Sequence, residues 1–460
     1  MKFRGTWIAL VLAVGLGSFV LWSRQRERSA AEARSEIARL VPIAAADVAQ
    51  LGFSYGDTQI RLELVETEWV ITHPMSAACE AAAVAAFLDT LVAARIEQNL
   101  GGGDLVRYGL DHPAAHVEIV TRDDKKHRLR FGRINPLQTL VYVLVDDGND
   151  VKLTTSSLMS LALTTSFGWR DKRMIDVAVD SVARIRFAYG ASSLNVRHDA
   201  EAGWVTDGEV PWRVDPTRMR SLALQLASLR AIGVEAENKQ NAHRLGLGNR
   251  LMSAILEDGT GRVLGDLTIG GAMIEGAYFA VVPDKPEIFQ MEGHIVDTML
   301  DLVREPRDRR MFPAFDPAMI TRLDVDAPED SFIVERRGRS RWVVTASDKT
   351  DSTFALDPGR VQELLEKLAT LEVSEFPAVQ PGRSAVDPAE WRVELYDDQG
   401  LVSGVRIGRR DPKAGLHVFA QGVRDRAVFL VSPAVLIQMP FDLERLGTGE
   451  VELPVDAERG

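Results

Sequence analysis

One cysteine, Cys79, stands among 460 residues. That excludes an intrachain disulfide and any zinc site built from cysteine pairs. It leaves the compartment open, because many extracytoplasmic bacterial proteins also lack disulfides. Positive charge is in deficit: 54 Lys and Arg face 66 Asp and Glu, for a formal charge of −12. On that balance a general attraction to nucleic acid is excluded, and any local basic run works against the overall field. Signatures of familiar chemistry are missing as well. There is no Walker A loop, no HExxH and no GxSxG elbow. "GLGNR" from Gly246 opens like a dinucleotide loop, yet it lacks the third glycine and the strand-turn-helix setting. What is present is the composition of a folded protein, 46% hydrophobic and 26% charged, with length for several domains.

The N-terminus carries the one long apolar run. "GTWIALVLAVGLGSFVLW", Gly5 to Trp22, holds no charged residue. As a helix it would span about 27 Å, close to the hydrocarbon thickness of a bilayer. Trp7 and Trp22 stand near its ends, where aromatic rings favour the interface. No small-x-small cleavage site follows the run directly, and no cysteine for lipid attachment, so an uncleaved anchor over residues 1–23 is favoured over a cleaved signal peptide. Lys2 and Arg4 on one side balance Arg24, Arg26 and Arg28 on the other once the terminal amine is counted, so charge alone does not orient the anchor. Residues 24–44, rich in Ala, Arg and Glu up to Leu40, read as a helical stalk.

The remainder is one unit written three times. Trp69, Trp204 and Trp342 recur at nearly equal intervals, and Gly132, Gly270 and Gly408 at equal ones. "YGLDHP" at Tyr108–Pro113 answers "RLGLGN" at Arg244–Asn249; in the third copy it becomes "RSAVDP" from Arg383, and the glycine is lost. "RDKRM" at Arg170–Met174 and "RDRRM" at Arg307–Met311 stand the same distance apart in the chain. Several independent landmarks with one period, roughly 137 residues, establish a repeat. The units are expected at 45–178, 179–316 and 317–448, followed by a loose acidic tail over 449–460.

Each unit opens with period-two alternation ("VAQLGFSY", "VARIRFAY", "ITRLDVDA"), which predicts strands with one buried face. A tryptophan-bearing hairpin strand follows, then a helix with an apolar stripe. The stripes are Val84, Phe87, Leu88 and Leu91; Met219, Leu222, Leu226 and Leu229; and Val361, Leu364, Leu365, Leu368 and Leu371. Asp215-Pro216 and Asp357-Pro358 supply an N-cap followed by proline at the first helical position. More strands and a short closing helix complete the unit. The expected fold is therefore α+β: a transmembrane helix and three tandem units of mostly antiparallel sheet with packed helices.

These landmarks, in this order, resemble the bacterial family called domain of unknown function 4340 from about residue 45 to about residue 450. The resemblance implies single-pass proteins of the inner membrane with their bulk outside the cytoplasm, encoded beside ABC transporter genes of the gliding-motility type. It brings no catalytic residues. The third copy departs from the pattern at "YGL" and at the basic pentapeptide.

Candidate chemistry is sparse. His112 and His116 are four apart, but Pro113 and the alternation after it place them in a loop entering a strand. With His73 and Cys79 elsewhere in the first unit, surface histidines are favoured over a metal site, and no cofactor is expected. The pairs Asp123/Asp124, Asp146/Asp147 and Asp397/Asp398 fall in predicted hairpin turns, where aspartate serves the turn backbone. "ERRGRSRW" puts Arg337, Arg339 and Arg341 on one hairpin face, a candidate surface for an acidic partner or lipid headgroup, set against a solvated hairpin.

The two pentapeptides lie where one unit passes into the next. Their cations suit the negative end of the preceding helix, and Met174 and Met311 can fill a neighbouring core. A phosphate site would use a helix N-terminus and glycines. Arg170, Asp171, Arg173 and Met174, with Arg307, Asp308, Arg310 and Met311, are therefore read as architectural joints. The expected protein is not an enzyme. It is a membrane-anchored extracytoplasmic scaffold or accessory subunit, with ABC transporter subunits as partners by resemblance. The alternatives are an envelope lipid- or glycan-binding module with a groove between units, and a hydrolase.

Overall fold

The computed structural model describes residues 38–451 apart from 241, 329, 339–340, 350–353, 383–384, 409–415 and 438–441. The chain divides into two compact units, one ending at Lys172 and one beginning at Arg173. The first holds one repeat and the second holds two. The apolar run Gly5–Trp22 lies outside the described residues, and among the described residues no helix is long and apolar enough to cross a membrane.

The first repeat contributes β1 (Val48–Tyr55), β2 (Thr58–Val65), β3 (Glu68–His73), β4 (Ala77–Ala78), β5 (Gln98–Gly102), β6 (Ala115–Thr121), β7 (Lys126–Ile134), β8 (Leu140–Val145) and β9 (Asp150–Thr155). They form one sheet in the order β4-β3-β2-β1-β6-β7-β8-β9-β5. The second repeat contributes β10 (Arg184–Tyr189), β11 (Ser192–Asp199), β12 (Gly203–Thr206), β13 (Gly233–Ala236), β14 (Arg250–Glu257), β15 (Val263–Ile274), β16 (Ala277–Val281) and β17 (Ile288–Glu292). Their order is β12-β11-β10-β14-β15-β16-β17-β13. The third contributes β18 (Arg322–Asp326), β19 (Ser331–Arg337), β20 (Arg341–Ser347), β21 (Phe354–Leu356), β22 (Trp391–Asp397), β23 (Gly400–Ile407), β24 (Val418–Gly422), β25 (Phe429–Val431) and β26 (Gly447–Val451), ordered β25-β24-β23-β22-β18-β19-β20-β21-β26.

The three sheets share one logic. The first strand of each repeat (β1, β10, β18) lies mid-sheet between two antiparallel neighbours. The chain meanders from there to one edge, crosses by a helix, returns beside the first strand and meanders out toward the opposite edge. Each repeat builds its own sheet, a point the sequence left open.

Helix and sheet meet on the faces that the periodicity marks. The helix Ala81–Ala93 buries Val84, Phe87, Leu88 and Leu91; Pro216–Ala227 buries Met219, Leu222, Ala223 and Leu226; Pro358–Thr370 buries Val361, Leu364, Leu365 and Leu368. Leu229 and Leu371 fall just past their helices and are buried there. Asp215 accepts hydrogen bonds from the Thr217 and Arg218 amides, and Asp357 from those of Gly359 and Arg360, so both caps work as their sequence implies. In the first core Phe53 stacks on Trp169 at 4.8 Å and meets Phe87 edge-on at 5.0 Å. Of the three landmark tryptophans only Trp342 is fully buried; Trp69 and Trp204 are half-buried.

The second landmark now has a cause. The glycine of each "IG" strand lies directly under the backbone of the "YGL" turn. A Cβ on Gly132 would collide with the Tyr108 carbonyl oxygen, one on Gly408 with the Ala385 carbonyl oxygen, and one on Gly270 would sit 2.9 Å from the Leu245 carbonyl oxygen. In the third repeat, where the turn glycine is absent, Val386 is buried as Leu110 is in the first. Gly132→Ala should therefore cost about 1–3 kcal/mol by overpacking. Gly102→Ala, with nothing within 4 Å of the new methyl group, should stay within about 0.5 kcal/mol of wild type. Urea unfolding midpoints read both.

Candidate functional site

The segments on either side of each helix present backbone that the strands of the meander do not pair. Before the helix this is Cys79, Val214 and Leu356, which form antiparallel bridges with Arg170, Arg307 and Gly447 respectively. The next amide repeats the pattern: Glu80 donates to the Trp169 carbonyl, Asp215 to Pro306 and Asp357 to Leu446. After the helix, Arg95, Arg230 and Glu372 bridge Arg39, Arg173 and Arg310. There the Leu40, Met174 and Met311 amides donate to the Ala94, Leu229 and Leu371 carbonyls.

The pentapeptide is thus two half-motifs. Its first arginine closes the repeat that is ending. Its last two residues, Arg-Met, open the repeat that is beginning. Met174 and Met311 are fully buried, and Met311 belongs to the core of the third repeat. The first repeat opens at Arg39-Leu40 and the third closes at Gly447, each without the other half-motif beside it. Residues 38–44, expected in the stalk, accordingly belong to the first repeat: Leu40, Val41 and Ile43 are buried in its core, because burial of "LVPI" outweighs continuation of a polar helix. At the other end β26 extends to Val451, into the expected tail, and the rest of that tail lies outside the described residues.

The second joint adds a buried ionic cluster. Arg213 donates Nε to Asp425 Oδ2 at 2.9 Å, Nη1 to Asp308 Oδ2 at 3.1 Å and Nη2 to the Arg310 carbonyl at 2.7 Å. Arg310 in turn holds Asp308 through Nε at 2.9 Å and Nη2 at 3.0 Å. The Arg213, Asp308 and Asp425 side chains are only 8%, 6% and 6% exposed. Burial pushes the Asp425 carboxyl above its ordinary value against the opposing pull of Arg213, and its Oδ1 has no hydrogen-bond partner among the described residues. Beside this cluster the Arg307 guanidinium lies between two rings, 4.7 Å from the centre of Trp212 and 4.8 Å from that of Phe376. Arg307 and both rings line a cleft of about 730 Å³ between the second and third repeats, with Leu194 and Val303 as further apolar walls and Arg218, Arg304 and Arg309 among its charged groups.

Other expected site residues do not converge. His73 and His112 are exposed and His116 sits on β6, where burial first and Arg130 second lower its pKa. Burial raises the Cys79 thiol to about 12, which makes it a poor nucleophile. No cluster of three His, Cys, Asp or Glu suited to a metal occurs among the described residues. Asp397 accepts the Gln399 and Gly400 amides, and Asp123 accepts Thr121 and pairs with Lys125, so both serve turns. Arg337 and Arg341 are cross-strand partners on one face, with Arg337 held by Glu335 at 2.8 Å; Arg339 lies outside the described residues. Arg213, Trp212, Phe376 and Asp425 were not singled out by the sequence. The bridge register puts Ala78 and Ala355 where Arg213 stands, so no period marks it.

A family model described as "Domain of unknown function (DUF4340)" matches residues 69–202 and 204–394, and each matched stretch begins at a landmark tryptophan. No curated protein matches the chain.

Two outcomes follow from the cluster. Arg213→Ala strands the buried Asp425 carboxylate, leaves Asp308 to Arg310 alone, and should cost about 3–5 kcal/mol in urea unfolding. For Asp425 the folded pKa lies above the unfolded value near 3.8, so the folded state holds its proton more tightly and wild type loses stability as pH rises from there through the folded value. Asp425→Asn should lack that loss, so its stability relative to wild type improves as pH rises above about 4. Parallel profiles would contradict it.

Proposed function

The chain belongs to the family described as domain of unknown function 4340, and from that premise we propose a non-enzymatic, membrane-anchored scaffold or accessory subunit of the cell envelope. Its N-terminal apolar run anchors it in the inner membrane, its three repeats stand on the extracytoplasmic side, and its partners are subunits of an ABC transporter complex. One observation carries the reading. The charged pentapeptides, the strongest candidates for a duplicated reactive site, are taken up by backbone pairing at repeat boundaries. A chain whose repeated motifs serve to link units is suited to presenting binding surfaces to partners.

A second reading is a ligand-binding module. The cleft lined by Leu194, Trp212, Val303 and Phe376 favours it, because apolar walls with a few charges are what small-molecule sites use. Affinity purification from crosslinked membranes separates the two. Transporter subunits should co-purify with the chain; a clean monomer carrying extractable lipid would favour the ligand-binding module. Protease treatment of spheroplasts should digest the repeats, and a protected chain would overturn the extracytoplasmic placement.

A further inference from the structure

The outward face of the first sheet differs from its two counterparts. With Leu51 and Phe53 buried, the alternation turns Gln50, Gly52 and Ser54 to the other side. Register across the strands sets His73, Arg61, Gly52, Glu118 and Arg128 in one row, and Gln59, Ser54, His116 and Arg130 in the next. Gly52 leaves the middle of the first row without a side chain. A groove of about 630 Å³ opens over it.

The corresponding position between the two buried residues is Arg186 in the second repeat and Asp324 in the third. There the face neutralises itself. Arg186 bonds Glu257, and Arg184 lies 3.8 Å from both Glu257 and Asp207. Asp324 holds Arg322 through two bonds of 2.6 Å. In the first repeat Lys126 approaches Glu118 at 3.8 Å, but among the described residues neither Arg61 nor Arg128 has a carboxylate within ion-pair distance. In a chain of net charge −12 this face has a local positive excess.

We propose that this groove docks an acidic peptide segment of a protein partner, with carboxylates received by Arg61 and Arg128 on either side of the Gly52 hollow and by Arg130 beside them. The inference rests on the scaffold reading and names the chemistry of the partner. The outward residues offer no phenyl or indole ring for a sugar to stack on, and Val120 is the one aliphatic side chain among them, so a glycan or an acyl chain has little to hold. Arg61 on β2 and Arg128 on β7 spring from strands three spacings apart, about 14 Å of sheet, and alternate side chains of an extended peptide recur about every 6.8 Å. Two or three carboxylates cover that span, and a guanidinium can grip each with two hydrogen bonds.

The test is a titration of the full chain with a fluorescent peptide of alternating glutamate and alanine, alongside inorganic phosphate and phosphatidylglycerol vesicles. Gly52→Asp fills the hollow with the residue found in the third repeat. Its Cβ would meet the Glu118 Cβ at 3.5 Å, an ordinary contact, so its melting temperature should match wild type. Arg128→Glu is the second variant. The peptide should bind wild type, bind less as salt rises, and lose at least about tenfold affinity in each variant. No peptide binding to wild type, or wild-type affinity in either variant, would overturn the proposal. So would saturation by phosphate or vesicles while the peptide fails to bind. Because the peptide is defined, the result stands whether or not transporter subunits co-purify.

Discussion

Backbone left unpaired on both sides of each helix is the constraint on which the repeat depends. A buried amide or carbonyl without a partner costs as much as a lost hydrogen bond, so the chain entering and the chain leaving must supply the missing pairs. The entering chain does so with Arg39-Leu40, Arg173-Met174 and Arg310-Met311. The leaving chain does so at Arg170, Arg307 and Gly447. A methionine follows the second and third entries because its flexible thioether fills the core next to the bridge. The near-identity of the two charged pentapeptides is then the result of joining one half-motif that closes a repeat to another that opens the next.

On this common frame the repeats have diverged where the frame does not constrain them. Arg213 occupies a position that is alanine in the other two repeats, and it ties the second repeat to the third through Asp308 and Asp425. Such a buried cluster fixes geometry more than it adds stability, since desolvation offsets much of the attraction. Gly52 replaces the charged residue that its counterparts place at the centre of the outward sheet face, and it turns a self-neutralised surface into an open groove flanked by Arg61 and Arg128.

The same distinction explains what could be read from sequence. Helix stripes, caps, alternating strands and their antiparallel order were legible because each repeats a local rule from one unit to the next. The groove and the ionic cluster were not, because each depends on a single residue whose meaning comes from neighbours far along the chain: Asp425 lies 212 residues from Arg213. The landmark glycines were visible as markers, but their reason, a carbonyl of the "YGL" turn lying on the strand, is a tertiary contact. The opening of the first repeat reads as stalk in the sequence because Arg39-Leu40 follows a polar, helix-favouring composition and has no pentapeptide around it.

Hydrogen exchange on the full chain tests the joints most directly. The Met174, Asp215, Met311 and Asp357 amides, each bonded between a helix-flanking segment and an entering or leaving one, should be protected to the level of the central strands β10 and β18. Exchange at the rate of exposed loops would show that the entering and leaving segments only connect the repeats and do not complete them.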